Sequence, residues 1–217
     1  MRREVFAEPG ALQNFLENFF SDSIIISSVT TEATVISSWA KQVRKKYILT
    51  HELPLPIKNG YTTPITLGVD RIAGVCGAHQ HFPDRPCLVI DSGTCITYDF
   101  IDRDGVFLGG GISPGLSMRF EAVHTFTARL PLVQMIESAP LIGNSTETCI
   151  QSGVLNGVIE ELNGIINRYQ EKFEGLQVIL CGGDARFFEN KLKASIFALP
   201  NLVLSGLNSI LIYNVSR

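Results

Sequence analysis

The sequence predicts a mixed α/β protein built in layers, not one built on a purely parallel sheet. Three observations predict it. An apolar run, Leu88 to Ile90, is followed by Asp91, a Ser-Gly-Thr turn and a second β-prone run, Cys95 to Phe100, which together read as a hairpin. Apolar residues at 150, 154, 158, 162, 165, 169 and 173 recur at spacings of three and four, marking one face of a long helix. Gln177 to Cys181 then reads as a strand ending in Gly182-Gly183-Asp184. Helices interleaved with strands, with a hairpin among them, imply α/β layers around one or two cores.

The remaining elements follow in order. Apolar groups at 12, 15, 16, 19 and 20 predict a helix over 11–20. Ser23 to Val29 is β-branched and predicts a strand. Thr31 to Arg44 reads as a second helix and Tyr47 to Thr50 as a short strand. Pro54, Pro56 and Pro64 make 51–67 the least regular stretch, a loop. Arg71 to His81 reads as a helix opened by Gly68-Val69-Asp70, and Gly105 to Gly111 as a turn with a strand edge. Leu116 to Ala128 is the next helix. Asn144 with Glu147 three residues on resembles an N-cap and its capping-box partner for the long helix. Ser205 to Asn214 closes the chain as a helix.

Composition narrows the function. A chain of 217 residues with 45% hydrophobic and 18% charged residues is an ordinary globular protein. A net charge of −3 carries no electrostatic footprint for nucleic acid. The one basic cluster, Lys41 to Lys46, reads as a solvated helix face. The five cysteines are widely spaced without a C-x-x-C pair, which argues against a zinc site. Cys76, Cys95, Cys149 and Cys181 lie in apolar runs, and free buried thiols suit a reducing cytoplasm. No apolar run approaches the ~20 residues of a membrane span, and the N-terminus has no apolar signal core. The four histidines lack metal-ligand spacing.

Four constellations could carry chemistry. In Asp91-Ser-Gly-Thr94, Gly93 permits close approach of the backbone to a ligand, turn N–H groups and the Thr94 hydroxyl can donate to phosphate, and Asp91 can hold a cation. An ordinary polar hairpin turn explains the same residues. Gly68-Val69-Asp70-Arg71 opens a helix, where Asp70 could take a proton from a hydroxyl and Arg71 stabilise negative charge, the pairing that phosphoryl transfer to an alcohol needs. A helix cap beside a surface ion pair is the alternative. Gly109 to Gly115 and Gly182-Gly183-Asp184 suit either a ligand or close packing. Gly143-Asn144-Ser145-Thr146 could bind substrate through its hydroxyls or simply cap the long helix.

Taken together and in order, these motifs resemble the type III pantothenate kinases of the acetate and sugar kinase/Hsp70/actin superfamily. The matching pieces are Tyr61 with Pro64 ahead of Leu-Gly-Val-Asp-Arg, Asp-Ser-Gly-Thr-Cys-Ile-Thr-Tyr-Asp, Gly-Gly-Gly-Ile-Ser-Pro-Gly-Leu, Phe-Thr-Ala-Arg-Leu-Pro, Gly-Asn-Ser-Thr-Glu and Ser-Gly-Val-Leu-Asn-Gly. The resemblance runs from about Ser23 to the C-terminus. It implies two RNase H-like domains with mixed sheets, residues 1–87 and 88–217, facing each other across an ATP cleft in a cytoplasmic homodimer. It implies ATP-dependent phosphorylation of the primary hydroxyl of pantothenate, the first step toward coenzyme A, with Mg2+ accompanying the nucleotide. Asp70 would be the proton acceptor. Tyr61, Gly68, Val69, Asp70 and Arg71 would line the pantothenate site. Asp91 would hold potassium or ammonium, and Thr94 would contact ATP. Thr146 would contact pantothenate, within its own subunit or across the dimer interface.

One departure stands against the family pattern. Its members open with a strand, Asp-x-Gly-Asn-Thr with a Lys, and another strand, a hairpin that cradles phosphates. Residues 1–30 hold nothing like it, and Met1 to Ala7 looks like the third strand of that domain. The expectation is a first domain truncated at its N-terminus and a weakened kinase. A regulator or scaffold that kept the fold is the competing class, and a related sugar kinase a third.

Overall fold

A computed structural model describes residues 4–6, 8–28 and 32–217. Two sheets organise them. The smaller pairs β1 (Ser21–Ile26) with β2 (Val43–Ile48) in parallel, with α2 (Ala33–Trp39) between them in sequence and α1 (Pro9–Glu17) ahead of them. The larger has six strands: β3 (Lys58–Asn59), β4 (Cys87–Ser92), β5 (Cys95–Ile101), β6 (Val106–Pro114), β7 (Gln177–Cys181) and β8 (Phe197–Ala198). Their order is β3-β6-β5-β4-β7-β8. β4, β5 and β6 form an antiparallel meander, and β7 and β8 add in parallel on the far side of β4. Three antiparallel strands followed by two parallel ones is the mixed-sheet, RNase H-like arrangement the motifs implied.

Strand alternation builds the layers. A strand sends successive side chains to opposite faces, and a sheet covered on both faces has near-continuous apolar strands. On β4, Leu88 and Ile90 face one core with Ile96, Tyr98, Val178 and Leu180. Cys87 and Val89 face the other with Ile101, Phe107 and Ile179. α5 (Thr146–Lys172) covers the first face with Val154, Val158, Leu162 and Ile166, joined by Phe120 of α4 (Leu116–Thr125) and by Phe188 of the short α6 (Ala185–Phe188). α3 (Val69–His81) and α7 (Leu202–Val215) cover the second, and Tyr47 Oη donates to the Asn214 carbonyl to tie the small sheet to α7.

Several sequence expectations need correction. Val43 to Lys46, expected in a helix, lie on β2, because pairing with Ser21–Ile26 outweighs the helix propensity of Arg and Lys. Arg44, Lys45 and Lys46 are solvated, as expected, but on a strand. The helix expected over 11–20 stops at Glu17, leaving Phe20 exposed, and the one expected over 116–128 stops at Thr125. Residues 4–6 form no strand, and the rest of the strand expected over 1–7 lies outside the described residues apart from that segment. Ser145, not Asn144, caps α5, in a capping box with Thr148: the Ser145 hydroxyl accepts from the Thr148 N–H at 3.2 Å, and Thr148 accepts from the Ser145 N–H at 2.9 Å. Cys149 is exposed and Cys95 half-buried, whereas Cys76, Cys87 and Cys181 are buried; all five are free.

α3 and α7 touch along small residues. A Cβ on Gly77 would sit 2.5 Å from the Leu202 carbonyl oxygen, and one on Gly206 would drive into the Ala73 carbonyl. Both obstacles are backbone, so neither can swing aside. Gly206→Ala should therefore destabilise the chain by about 1–3 kcal/mol, although alanine gains about 1 kcal/mol of helix propensity over glycine. Urea unfolding of the two chains checks the sign.

Candidate active site

The cleft lies at the C-terminal end of β4. β4 is paired on both edges and buried on both faces, so only its end is free to meet a ligand. There the chain delivers Asp91 and Ser92, turns through Gly93 and Thr94, and returns along β5 with Asp91 opposite Thr97. Alternation aims Cys95, Thr97 and Asp99 at the cleft and sends Ile96 and Tyr98 into the core. The N-terminus of α3 supplies Asp70 and Arg71 from the other side. Asp70, Arg71, Asp91, Gly93, Thr94, Cys95, Thr97 and Asp99 together line a cavity of about 320 Å3, with Ser92 buried behind them.

Each group is held by its neighbours. Asp70 stands in the first turn of α3, and its Oδ1 accepts from the Arg71 N–H at 2.9 Å. Gly68 lies directly behind it: a Cβ there would come within 2.5 Å of that Oδ1. Arg71 donates from Nε to Asp99 Oδ1 at 2.8 Å, with its Nη2 2.6 Å from the same oxygen. The Thr97 hydroxyl donates to Asp99 Oδ2 at 2.9 Å. The Tyr61 ring lies 5.6 Å from the Arg71 guanidinium carbon and stacks on Phe107. Asp91 lies opposite Cys181 on β7. A Cβ on Gly182, where φ is 95°, would collide with the Ser92 carbonyl and stand 2.5 Å from Asp91 Oδ1. A Cβ on Gly115 would strike the carbonyls of Gly93 and Thr94, and the Gly115 N–H donates to the Thr94 carbonyl at 3.1 Å. Both glycine motifs thus seat the hairpin turn against its neighbours.

The electrostatics are lopsided. Three carboxylates, Asp70, Asp91 and Asp99, face one guanidinium, and that guanidinium is committed to Asp99. Burial pushes the Asp91 carboxyl above its usual value, and the Asp70 and Asp99 charges push the same way against a hydrogen bond from Cys181. Burial opposes the charge on Arg71, but Asp99 and then Tyr61 outweigh it and hold the guanidinium charged. An excess of carboxylate around Asp91 suits a bound cation.

The structure therefore brings Asp70, Arg71, Asp91 and Thr94 around one cavity, with Gly68 behind Asp70, Val69 beside it in the first turn of α3 and Tyr61 against Arg71. Thr146 lines a separate depression with Gly143, Asn144, Cys149 and Leu130. Asp99 and Thr97 are the site residues that the sequence reading passed over. Two polar residues spaced by two, on a strand whose other face is apolar, were the available signal.

Residues 5–168 match the model of the type III pantothenate kinase family. The chain belongs to this family. It is 45% identical over 221 residues to the type III pantothenate kinase of Christiangramia forsetii, an alignment covering 100% of this chain and 91% of the relative. It is 48% identical over 191 residues to that of Phocaeicola vulgatus, covering 88% of this chain and 79% of the relative. Among solved structures, a Campylobacter jejuni protein described as a conserved Baf family transcriptional activator superposes with a TM-score of 0.63 at 22% identity, over 95% of this chain and 89% of that one. That likeness concerns the fold alone. Among the described residues, no helix is long and apolar enough to cross a membrane.

Asp91 gives this family member a testable pH dependence. A carboxyl whose pKa is raised by folding, from 3.8 here, costs stability when ionised. The cost is absent below 3.8 and complete above the folded-state value. Asp91→Asn should therefore melt at a higher temperature than wild type at neutral pH. That advantage should shrink to nothing as the pH falls below 3.8, followed by thermal unfolding across the acid range.

Proposed function

We propose that this chain transfers the γ-phosphoryl group of ATP to the primary hydroxyl of pantothenate, with Asp70 as the proton acceptor. Family membership supports the substrates, and one observation carries the mechanism: among the described residues, Asp70 is the one carboxylate of the cavity that stands in the first turn of a helix, oriented by the adjacent Arg71 N–H. The pantothenate oxygen forms the new bond to the γ-phosphorus as the bond to the β,γ-bridging oxygen breaks. The hydroxyl proton passes to the Asp70 carboxylate, and ADP leaves. Phosphoryl transfer asks the protein mainly for position and charge stabilisation. Tyr61, Gly68, Val69 and Arg71 form the acceptor side. Thr94 contacts the nucleotide from the turn that Gly115 and Gly182 seat.

Asp91 would hold a monovalent cation, potassium or ammonium, which supplies fixed positive charge beside the phosphates; Mg2+ accompanies the nucleotide. The division into domains 1–87 and 88–217, a homodimer and a cytoplasmic location complete the reading. In a dimer, the depression holding Thr146 would serve the partner's pantothenate.

Asp70→Asn keeps an oxygen that can accept from the Arg71 N–H, so the fold should stand. The rate of ATP-dependent phosphorylation should fall by about 10²–10⁴, with pantothenate binding by calorimetry nearly unchanged. A rate close to wild type would exclude Asp70 as the base. Wild-type turnover should also rise with added potassium or ammonium, and Asp91→Ala should show no such rise. Turnover indifferent to both ions in the wild type would remove the cation from Asp91.

A further inference from the structure

The most deeply buried charge around the cleft belongs to Asp99, at 1% exposure, and its partner Arg71 is 9% exposed. A buried ion pair is poor evidence for a stabilising role, because apolar residues of similar volume often do as well or better. This pair nonetheless lines the cavity rather than the core behind it. Its geometry is over-determined. Asp99 Oδ1 accepts from Nε and lies within ion-pair distance of Nη2, and Oδ2 accepts from Thr97, so the carboxylate cannot turn without losing a bond. Arg71 is gripped at its edge by that carboxylate, with the Tyr61 and Phe107 ring centroids 5.6 and 6.0 Å from its guanidinium carbon. Those two rings are nearly parallel, 7° apart.

The pairing has a chemical consequence. Arg71 directly follows Asp70, and a free guanidinium there could fold onto the Asp70 carboxylate. Asp99 takes up that charge, and among the described residues no arginine side chain pairs with the Asp70 carboxylate. Arg71 then meets an acceptor by the direction of its N–H groups more than by net charge.

We infer that Asp99 is a positioning residue for the acceptor side of the cleft, fixing the Arg71 guanidinium, and the Tyr61 ring against it, in the orientation that receives the alcohol substrate. This rests on the acceptor site assigned above. Thr97 supports it by holding the second carboxylate oxygen.

The test compares wild type with Asp99→Asn and, because removing one partner of a buried pair endangers the fold, with Thr97→Ala. Asp99→Asn should lower kcat/KM for pantothenate by about 10–100-fold while KM for ATP stays within about twofold. Thr97→Ala should act in the same direction by about fivefold, the worth of one hydrogen bond. A purely structural role would move both substrates together. The inference is overturned if ATP and pantothenate parameters shift in parallel, or if pantothenate kinetics are unchanged in whichever variant folds. A second measurement needs no turnover. The Arg71 Nε–H resonance should exchange slowly with solvent in wild type and fast in the same variants, and rapid exchange in wild type overturns the inference. If wild type does not phosphorylate pantothenate at all, the substrate reading fails, and the Arg71 exchange rates alone decide the role of Asp99.

Discussion

The architecture depends on β4 having no solvent-facing side. β5 occupies one edge and β7 the other, and helices cover both faces. Every backbone polar group along such a strand finds its partner in the sheet, so the chain between Cys87 and Ile90 can be wholly apolar without penalty. The strand can then act on a ligand only where it ends. Ligands of α/β sheets sit beyond the carboxyl ends of strands for this reason. Here that end gathers Asp91, the Gly93-Thr94 turn, the start of β5 and the finish of β7, with the first turn of α3 alongside.

Concentrating carboxylates at that end sets stability against function. Ionising Asp91 works against its own burial and then against the charges of Asp70 and Asp99. Arg71 relieves only one of the three, because its bonds go to Asp99. The strain is local, and the surrounding packing over-determines the geometry: Gly182 and Gly115 lie so close to the carbonyls of Ser92, Gly93 and Thr94 that a methyl group on either would displace the turn. The excess of negative charge is thus held in a fixed frame, so its geometry does not relax to relieve it.

The layers were largely legible in the sequence because periodicity reports burial. The 3.6-residue pattern from Ile150 onward gave α5, and the apolar runs at 88–90 and 177–181 gave two central strands. What failed was decided by partners distant in sequence. In Val43-Arg-Lys-Lys-Tyr-Ile only Tyr47 and Ile48 carried a strand signal, and Val43 to Lys46 join the strand because Ser21–Ile26 lies beside them. Asn144 and Ser145 are both good caps, and only the position of Thr148 selects Ser145. Within the cleft, Asp70, Arg71, Asp91 and Thr94 were visible as motif residues. Asp99 was visible only as a polar residue within a hairpin strand, because its partner Arg71 lies 28 positions earlier. The separation of Thr146 from the cavity could not be read from order along the chain either.

That separation has a mechanical side. α5 starts beside the Thr146 depression and reaches Glu161 about 22 Å further along its axis, at 1.5 Å per residue. There Glu161 accepts from Arg119 at 2.7 Å and from Tyr98 Oη at 2.8 Å, and Arg119 also holds the Pro114 carbonyl and the Ser113 hydroxyl. Burial would raise the Glu161 carboxyl, but the donors from Arg119, Ser113 and Tyr98 win and hold it below its usual value. Its charge therefore persists throughout the neutral range, and the stability it lends is lost only as the pH falls below 4.5. The network fastens the end of β6 at the point where the chain enters Gly115, whose backbone abuts the Thr94 turn. One helix thus links the Thr146 depression at its N-terminus to the frame of the Thr94 turn. A displacement of α5 along its axis would strain the Arg119–Glu161 pair, and Arg119 in turn holds the Ser113 and Pro114 end of β6 beside that turn.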